Sequence, residues 1–198
     1  MPFIKTIVLG NGNAGKTTLI NAIVKWAEKS SSGLFRKTKK YEVDTLIQST
    51  VALDVDSHTL GTKNIIFRLF DFAGQIEYVS SHQLFLQFDK SSCNDAIIFL
   101  VFDLSLTFEK LVEQATYWCS FLFSHVTAEN TNSSDNINLF VVGTKVNEAA
   151  IDFTIIQQRL LEVLDQHLSL FAAYSSSNDQ PAIRLQSIYS VDSYSGDG

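Results

Sequence analysis

The sequence predicts an α/β domain in which helices cover both faces of a doubly wound, mostly parallel sheet of six strands. Short apolar runs of strand length alternate along the chain with longer segments whose apolar residues recur at helical spacing. Strands that are separated by helices pair in parallel through right-handed crossovers. Two of the runs are separated instead by a short turn that contains Gly61, which predicts a hairpin and one antiparallel strand at an edge of the sheet.

The individual elements follow from these patterns in chain order. Strands are predicted at Phe3–Leu9, Thr50–Ser57, Asn64–Asp71, Ala96–Asp103, Ile137–Gly143 and Ala182–Ser190. Helices are predicted at Lys16–Lys29, Ser80–Asp89, Thr107–Phe123 and Asp152–Leu170, the last with Asp152 as its N-cap. Irregular structure is predicted for the polar segments Ser30–Ser49, Thr127–Asn136 and Tyr174–Gln180.

Length and composition are typical of one globular domain spanning residues 1–198. The 198 residues are 45% hydrophobic, which argues against a disordered chain, and the formal net charge of −6 argues against binding to nucleic acid. The longest apolar stretch, around Ala96–Phe102, has only strand length, so no membrane insertion is expected. Met1–Gly10 does not fit a signal peptide, and Cys93 and Cys119 are expected to be reduced thiols. We therefore expect a cytoplasmic protein.

A glycine-rich segment between the first strand and the first helix carries the strongest functional signal. It fits the phosphate-loop pattern GxxxxGK[ST] without a mismatch, in the strand–loop–helix setting that the motif requires. In such a loop the backbone N–H groups point inward at phosphate oxygens, and the helix N-terminus adds partial positive charge. The alternative is an ordinary glycine-rich turn with a surface lysine. The candidate phosphate-binding residues are Gly10, Asn11, Gly12, Asn13, Ala14, Gly15, Lys16, Thr17 and Thr18.

Two side chains of this loop are candidates for more specific roles. Lys16 has the reach to contact the β- and γ-phosphates and is a candidate catalytic residue. The Thr17 hydroxyl is a candidate ligand of Mg²⁺, the cofactor that a bound nucleoside triphosphate implies.

A second phosphate-binding element is predicted where the third strand ends. Asp71 lies at the carboxyl end of that strand, where it can hold Mg²⁺ through water, and the Gly74 N–H can bond the γ-phosphate. Gln75 can then orient the attacking water, which makes it the second candidate catalytic residue. The alternatives are a turn-forming aspartate for Asp71 and a solvated loop residue for Gln75.

These motifs resemble those of the Ras-like GTPases. The segment Asp71–Tyr78 is similar to the family's DTAGQEEY, and within that superfamily the chain looks most like the Roc group, the "Ras of complex proteins" domains. Ser49–Val55 resembles the Roc pattern TVGIDV, and Leu111–Leu122 is similar to Roc domains of the death-associated-kinase kind. The resemblance implies that Thr50 is the first-switch threonine, with its hydroxyl on Mg²⁺ and its N–H on the γ-phosphate. Thr45 and Ser49 compete for this role, and Thr50 can instead simply begin a strand.

The base-reading motif departs from the family pattern [NT]KxD at its last position. The chain has Thr144, Lys145 and Asn147, so a carboxamide stands where the family has a carboxylate. Guanine offers two N–H donors on one edge, and a carboxamide has only one acceptor for them. Guanine preference is therefore expected to be weakened, and a base with an acceptor at position 2, such as xanthine, is favoured. Glu148 can substitute if the loop shifts by one residue, and a plain strand-to-helix turn without base contact is the alternative.

The remaining features concern the end of the chain and its partners. Ser190 and Val191 correspond weakly to the family's last base-side motif, SAK, since Asp192 stands where the lysine would be. The family's last helix has no residues left after Gly198, so we expect either that the chain is part of a longer multidomain protein or that something else covers one face of the sheet. Roc domains normally lie beside a dimerising domain, which implies a homodimer or such a neighbour. The basic cluster Arg36–Lys40 is either a solvated mobile face or an arginine finger for a partner subunit.

Two functions from different classes fit these observations. The first is a Mg²⁺-dependent switch domain that binds GTP and GDP and hydrolyses GTP slowly, since no arginine is obviously placed to assist within the chain. The second is a nucleotide-binding or nucleotide-free scaffold module with an altered base preference, which Asn147 favours. An ATPase with the same phosphate loop is a third alternative.

Overall fold

The computed structural model describes residues 3–30, 36–41, 53–60, 65–72, 95–125, 136–174 and 182–191. Seven strands form one sheet in the order β2-β3-β4-β1-β5-β6-β7. The strands are β1 Phe3–Leu9, β2 Arg36–Tyr41, β3 Leu53–Leu60, β4 Ile65–Phe72, β5 Asp95–Asp103, β6 Asn136–Thr144 and β7 Ala182–Ser190. Strands β4, β1, β5, β6 and β7 run parallel, which confirms the predicted doubly wound α/β sheet.

The antiparallel end of the sheet differs from the prediction in strand number. Strands β3 and β4 form the predicted hairpin, but a seventh strand, β2, pairs antiparallel with β3 and becomes the edge. The prediction of six strands and of irregular structure throughout Ser30–Ser49 was therefore wrong. The segment Arg36–Tyr41 reads RKTKKY and has no apolar alternation from which a strand could be predicted. Its backbone is held at the edge of the sheet by pairing with β3. The basic cluster Arg36–Lys40 thus lies in a strand.

Three helices of the described residues cover both faces of the sheet. They are α1 Lys16–Ser30, α2 Phe108–His125 and α3 Phe153–Tyr174. Because side chains alternate along a strand, β1 directs Ile7 and Leu9 into the core with α2 and α3, and Val8 into the smaller core with α1. Helices on both faces were predicted, and this alternation confirms them. The helix predicted at Ser80–Asp89 lies outside the described residues.

Two smaller predictions are also confirmed, the N-cap of α3 and the free thiol at Cys119, whereas Cys93 lies outside the described residues. Asp152 caps α3, since its Oδ1 accepts a hydrogen bond from Thr154 N at 2.8 Å. Hydrogen bonding by the Thr154 side chain, together with that main-chain bond, lowers the pKa of the Asp152 carboxyl. Cys119 is a buried thiol, and burial raises its pKa to about 12. No helix of the described residues is long and apolar enough to cross a membrane.

The sheet topology places candidate site residues together at the carboxyl ends of the parallel strands. β1 ends at Leu9 beside Leu100 of β5, and β5 ends at Asp103 beside Thr144 of β6. Gly143 of β6 lies beside the last residue of β7. The segments that follow β1, β5, β6 and β7 therefore meet at the carboxyl ends of the parallel strands, where such sheets bind their ligands.

Candidate functional site

The loop between β1 and α1 has a backbone conformation that its glycines permit. Gly10 has φ 147°, Asn13 has φ 62° and Gly15 has φ 83°, all in the left-handed half of conformational space. An added Cβ at Gly10 would lie 2.3 Å from the main-chain oxygen of Val101, so a side chain cannot be accommodated there. The loop is consequently pressed against the end of β5, with Gly12 and Asn13 exposed at its outer turn.

The side chain of Lys16 folds back onto the loop and bonds to its main-chain oxygens. Its side chain is 7% exposed, and Nζ donates hydrogen bonds to the carbonyl oxygens of Gly10 at 3.1 Å and Asn11 at 2.9 Å. An ammonium costs free energy to bury, and these carbonyls compensate part of that cost. The lysine is the first residue of α1, and the first turn of that helix contains no acidic residue. A cation and the positive end of a helix dipole therefore lie together at this loop.

The structure describes some of the other candidate phosphate and metal residues, and these lie in the loop or next to it. Thr17 is exposed and Thr18 half-buried in the first turn of α1, and Ala14 is buried. The backbone of Asp71 pairs in register with Val8, two residues before the loop begins. Thr50, Gly74 and Gln75 lie outside the described residues, as do Thr45 and Ser49. Their roles remain predictions.

Thr144 connects the end of β6 to the phosphate loop. Its side chain is buried, and Oγ1 lies 2.8 Å from the carbonyl oxygen of Ala14 and 3.1 Å from that of Phe102. The hydroxyl donates to these main-chain oxygens, so it links the loop with β5 and β6. A Cβ added at Gly15 would lie 3.4 Å from the methyl group of Thr144. Thr144 therefore contacts the loop through its methyl group at Gly15 as well as through its hydroxyl at Ala14.

An ion pair lies beside this connection, between Lys145 and Asp103. Lys145 adopts a left-handed conformation with φ 55°, and its Nζ lies 2.5 Å from Asp103 Oδ2. Asp103 Oδ1 accepts hydrogen bonds from the Ser105 N–H at 3.0 Å and from the Ser105 hydroxyl at 2.5 Å. Burial of the carboxylate works to raise the pKa of Asp103, but the hydrogen bonds from Lys145 and Ser105 outweigh it and the pKa is lowered.

The remaining base-side candidates lie next to this pair. Asn147 and Glu148 are exposed in the short 3₁₀ turn Val146–Glu148 that follows Lys145. The Val191 N–H donates to the carbonyl oxygen of Gly143 at 2.8 Å, which holds the end of β7, with Ser190 and Val191 both half-buried, beside β6. All five predicted base-side residues thus lie at the carboxyl ends of the strands, the same end of the sheet that carries the phosphate loop.

Comparison with protein-family models gives a match over residues 5–147 to "Ras of Complex, Roc, domain of DAPkinase". The chain belongs to the Roc family. The match includes the phosphate loop and ends at Asn147, the residue at which the base-reading motif departs from the Ras-like pattern. Comparison with curated proteins yields no significant match.

Solved structures of small GTPase-like proteins share the fold of this Roc domain. One is the Arl6 BBS3 small GTPase from Trypanosoma brucei with a bound nucleotide analogue, with a TM-score of 0.59 and 18% identity over 99% of this chain and 90% of that one. Another is a GTP-binding protein from Sulfolobus solfataricus in complex with GDP, with a TM-score of 0.55 and 14% identity over 97% of this chain. The Roc domain spans 47% of the length of that second protein.

Sequence reasoning missed three residues of the Roc domain's candidate site. Asp103 and Ser105 form the Asp-x-Ser pattern that turns the chain after a strand, and this pattern was the available signal for them. Trp118 donates from its indole Nε1 to Asn11 Oδ1 at 2.8 Å. Since 107 residues separate these two partners, no local pattern could have connected them.

Proposed function

We propose that this Roc domain binds a guanine nucleotide with Mg²⁺ and hydrolyses GTP slowly, as a molecular switch. The observation that carries the proposal is the loop Gly10–Thr17, in which the buried Lys16 ammonium donates hydrogen bonds to the carbonyl oxygens of Gly10 and Asn11. Successive N–H groups in such a loop form a ready-made anion site, and Lys16 can exchange its carbonyl partners for phosphate oxygens. A small GTPase with a bound nucleotide analogue and a GTP-binding protein in complex with GDP share the fold, which supports this choice of ligand.

The residues around the loop fit a magnesium ion. Mg²⁺ prefers oxygen ligands and is usually bound by one or two protein groups together with phosphates and water. Thr17 presents an exposed hydroxyl position at the start of α1, and the backbone of Asp71 lies beside the end of β1. We propose that Thr17, Thr50 and Asp71 hold the ion. When bound, it would neutralise charge on the β- and γ-phosphates.

The proposed hydrolysis uses few protein groups. Gln75 orients a water molecule in line with the γ-phosphate, and the N–H of Gly74 bonds a γ-phosphate oxygen. Lys16 and the N–H groups of the loop stabilise the negative charge that develops in the transition state. An arginine finger contributes about 10³–10⁵ in rate. Since the sequence places none obviously near the site, turnover by the isolated chain is expected to be slow.

The base preference is proposed to differ from that of a strict guanine reader. Asn147 replaces the carboxylate that would accept both guanine donors, and an unpaired buried polar group costs about 1–3 kcal/mol. A titration with GTP, ATP and XTP tests this directly. We expect XTP to bind at least as tightly as GTP and ATP to bind most weakly. A clear preference for ATP would identify the third alternative, an ATPase.

Release of inorganic phosphate separates the switch from a binding module. We expect slow release from GTP that is lost in Gln75→Leu, whereas nucleotide binding persists. Tight GTP binding without any release would favour the second candidate, a scaffold module, which Asn147 also favours. No binding of any nucleoside triphosphate would overturn the switch and leave only the nucleotide-free form of the scaffold module.

The cellular setting is proposed from the family alone. We propose a cytoplasmic domain of a longer chain, beside a dimerising domain or paired with a second copy. The mass of the chain in solution, measured by light scattering with GDP and with a GTP analogue, tests whether this part dimerises by itself. A monomer in both states would assign dimerisation to other parts of the protein.

A further inference from the structure

We propose that Trp118 is a positioning residue of the phosphate loop: its indole N–H holds the Asn11 side chain and thereby fixes the loop for phosphate binding. The inference rests on the proposed nucleotide site and adds a residue to it from an element, α2, that carries none of the predicted site residues. It begins from the hydrogen bond between Trp118 Nε1 and Asn11 Oδ1, which at 2.8 Å has good length for an N–H···O bond.

Asn11 is the residue at which the contacts of the loop converge. Its main-chain oxygen accepts from Lys16 Nζ at 2.9 Å and from Ala14 N at 3.3 Å, and its side-chain oxygen accepts from Trp118. The first two contacts lie within the loop and its helix, whereas the third ties the loop to a different helix. Asn11 directly precedes the outer turn, Gly12 and Asn13. Contacts that hold Asn11 therefore also hold the start of this turn.

The outer turn benefits from such support because one of its residues, Asn13, has a positive φ without being glycine. Asn13 has φ 62°, and it lies between two glycines, Gly10 and Gly15, that also have positive φ. Residues outside glycine that occupy this region cost free energy and persist when surrounding contacts determine them. A loop that relaxed without phosphate would have to be ordered again on binding, and that ordering would weaken the affinity.

Trp118 is well placed to provide a rigid anchor. Its side chain is 2% exposed, and its ring packs edge-on against Phe121 with centroids 5.5 Å apart and against Tyr117 at 5.2 Å. The helix beneath it is fixed in the core by fully buried side chains, Leu111, Ala115 and Leu122. The indole consequently loses little conformational freedom when it donates to Asn11, so the bond adds order to the loop at small entropic cost.

The test compares three single variants of the intact chain and one double variant, which combines Trp118→Phe with Asn11→Ala. Trp118→Phe removes the N–H and keeps an aromatic ring in the cluster, and Asn11→Ala removes the acceptor. Phe121→Leu is the matched control, since it disturbs the same aromatic cluster and leaves both hydrogen-bonding partners in place. For each protein we measure the Kd for Mg²⁺–GDP by calorimetry and the thermal unfolding midpoint without nucleotide.

We expect Trp118→Phe and Asn11→Ala each to raise the Kd about threefold to tenfold, the effect of one neutral hydrogen bond. The double variant should bind no more weakly than the weaker single variant, because both substitutions remove the same bond. Phe121→Leu should lower the unfolding midpoint and leave the Kd within about twofold of the parent. Unchanged affinity in Trp118→Phe, or full additivity in the double variant, would overturn the inference.

A spectroscopic readout separates positioning from packing. In ¹⁵N spectra the indole N–H resonance of Trp118, assigned by its loss in Trp118→Phe, should move when Asn11 is changed to Ala and when GDP or inorganic pyrophosphate is added. A resonance indifferent to Asn11→Ala would refute the bond itself. If the parent chain binds neither GDP nor pyrophosphate, the proposed function fails and the inference fails with it. Parent binding that Trp118→Phe does not alter overturns the inference alone.

Discussion

Lys145 and Asp103 form an ion pair at the carboxyl ends of β6 and β5, with the lysine Nζ 2.5 Å from Asp103 Oδ2. The other oxygen of the carboxylate is occupied by Ser105, so both acceptor positions have partners. The side chain expected to cover the base is therefore oriented by a residue outside the base-reading motif. Asp103 fixes the direction of Lys145, just as Thr144 fixes the loop.

Asp103→Asn should lower stability in a pH-dependent way. The pKa of Asp103 is lower in the folded than in the unfolded chain, so its charge stabilises the fold at pH values above the unfolded-state pKa of about 4, and this contribution is lost as the pH falls through the folded-state pKa. We expect Asn to cost about 1–3 kcal/mol near pH 7, as for a hydrogen bond between charged groups, and less below about pH 4. Urea unfolding across that range measures the difference.

Asp165→Asn provides the control for this pH dependence. Asp165 is an exposed carboxylate on α3, far along the chain from the ion pair. Its substitution should change the free energy of unfolding by less than about 0.5 kcal/mol. A difference between parent and Asp103→Asn that stays constant from pH 7 to acid would show that the carboxylate is not stabilised by its partners.

Lys16→Met should abolish tight nucleotide binding while the fold remains. Two hydrogen bonds from the ammonium to main-chain oxygens are lost, but an ammonium no longer has to be buried, so the free energy of unfolding should change by about 1 kcal/mol or less. The Kd for GDP should rise about 10- to 100-fold, since charge-assisted bonds to phosphate are strong. Calorimetry measures the Kd. Lys25→Met is the matched control, because Lys25 is an exposed lysine on α1. Equal affinities of the two variants would exclude the loop as the phosphate site.

The sequence predicted those parts of the site whose residues are contiguous. The phosphate loop is one uninterrupted motif, and β1 was predicted with the bounds that the structure shows because it is an apolar run buried on both faces. β2 escaped prediction because ladder hydrogen bonds with β3 hold it without an apolar pattern. The contacts of Trp118 with Asn11 and of Asp103 with Lys145 depend on how helices and strands are brought together, which local patterns do not encode.

Gly10→Ala should destabilise the domain far more than Gly12→Ala. At Gly10 the new Cβ would lie 2.3 Å from the Val101 carbonyl oxygen, on a backbone with φ 147°. Steric overlap and backbone strain together should cost at least about 2 kcal/mol in the free energy of unfolding. Gly12 is exposed, so alanine there should change stability by less than about 1 kcal/mol. Urea unfolding of both variants without nucleotide checks the contrast, and equal stabilities would contradict the close approach of the loop to β5.

Thr144→Val tests whether Thr144 acts through the phosphate loop or on the base. Valine keeps the shape of the side chain but removes the hydroxyl that donates to the carbonyl oxygens of Ala14 and Phe102. An unsatisfied buried acceptor costs about 1–3 kcal/mol, and we expect that loss in stability together with a Kd raised about threefold to tenfold. Because the hydroxyl contacts the loop, affinity should fall equally for GTP, XTP and inorganic triphosphate.

Thr144→Ser is the matched control for that experiment, because it keeps the hydroxyl and loses only the methyl group packed near Gly15. A buried methyl contributes about 1 kcal/mol to stability, so the serine variant should be somewhat less stable than the parent. Its Kd for all three ligands should nevertheless stay within about twofold of the parent value, since the bond to the Ala14 carbonyl oxygen remains. If valine instead weakened GTP binding and left triphosphate binding unchanged, Thr144 would act on the base, and the loop would hold its conformation without this hydroxyl.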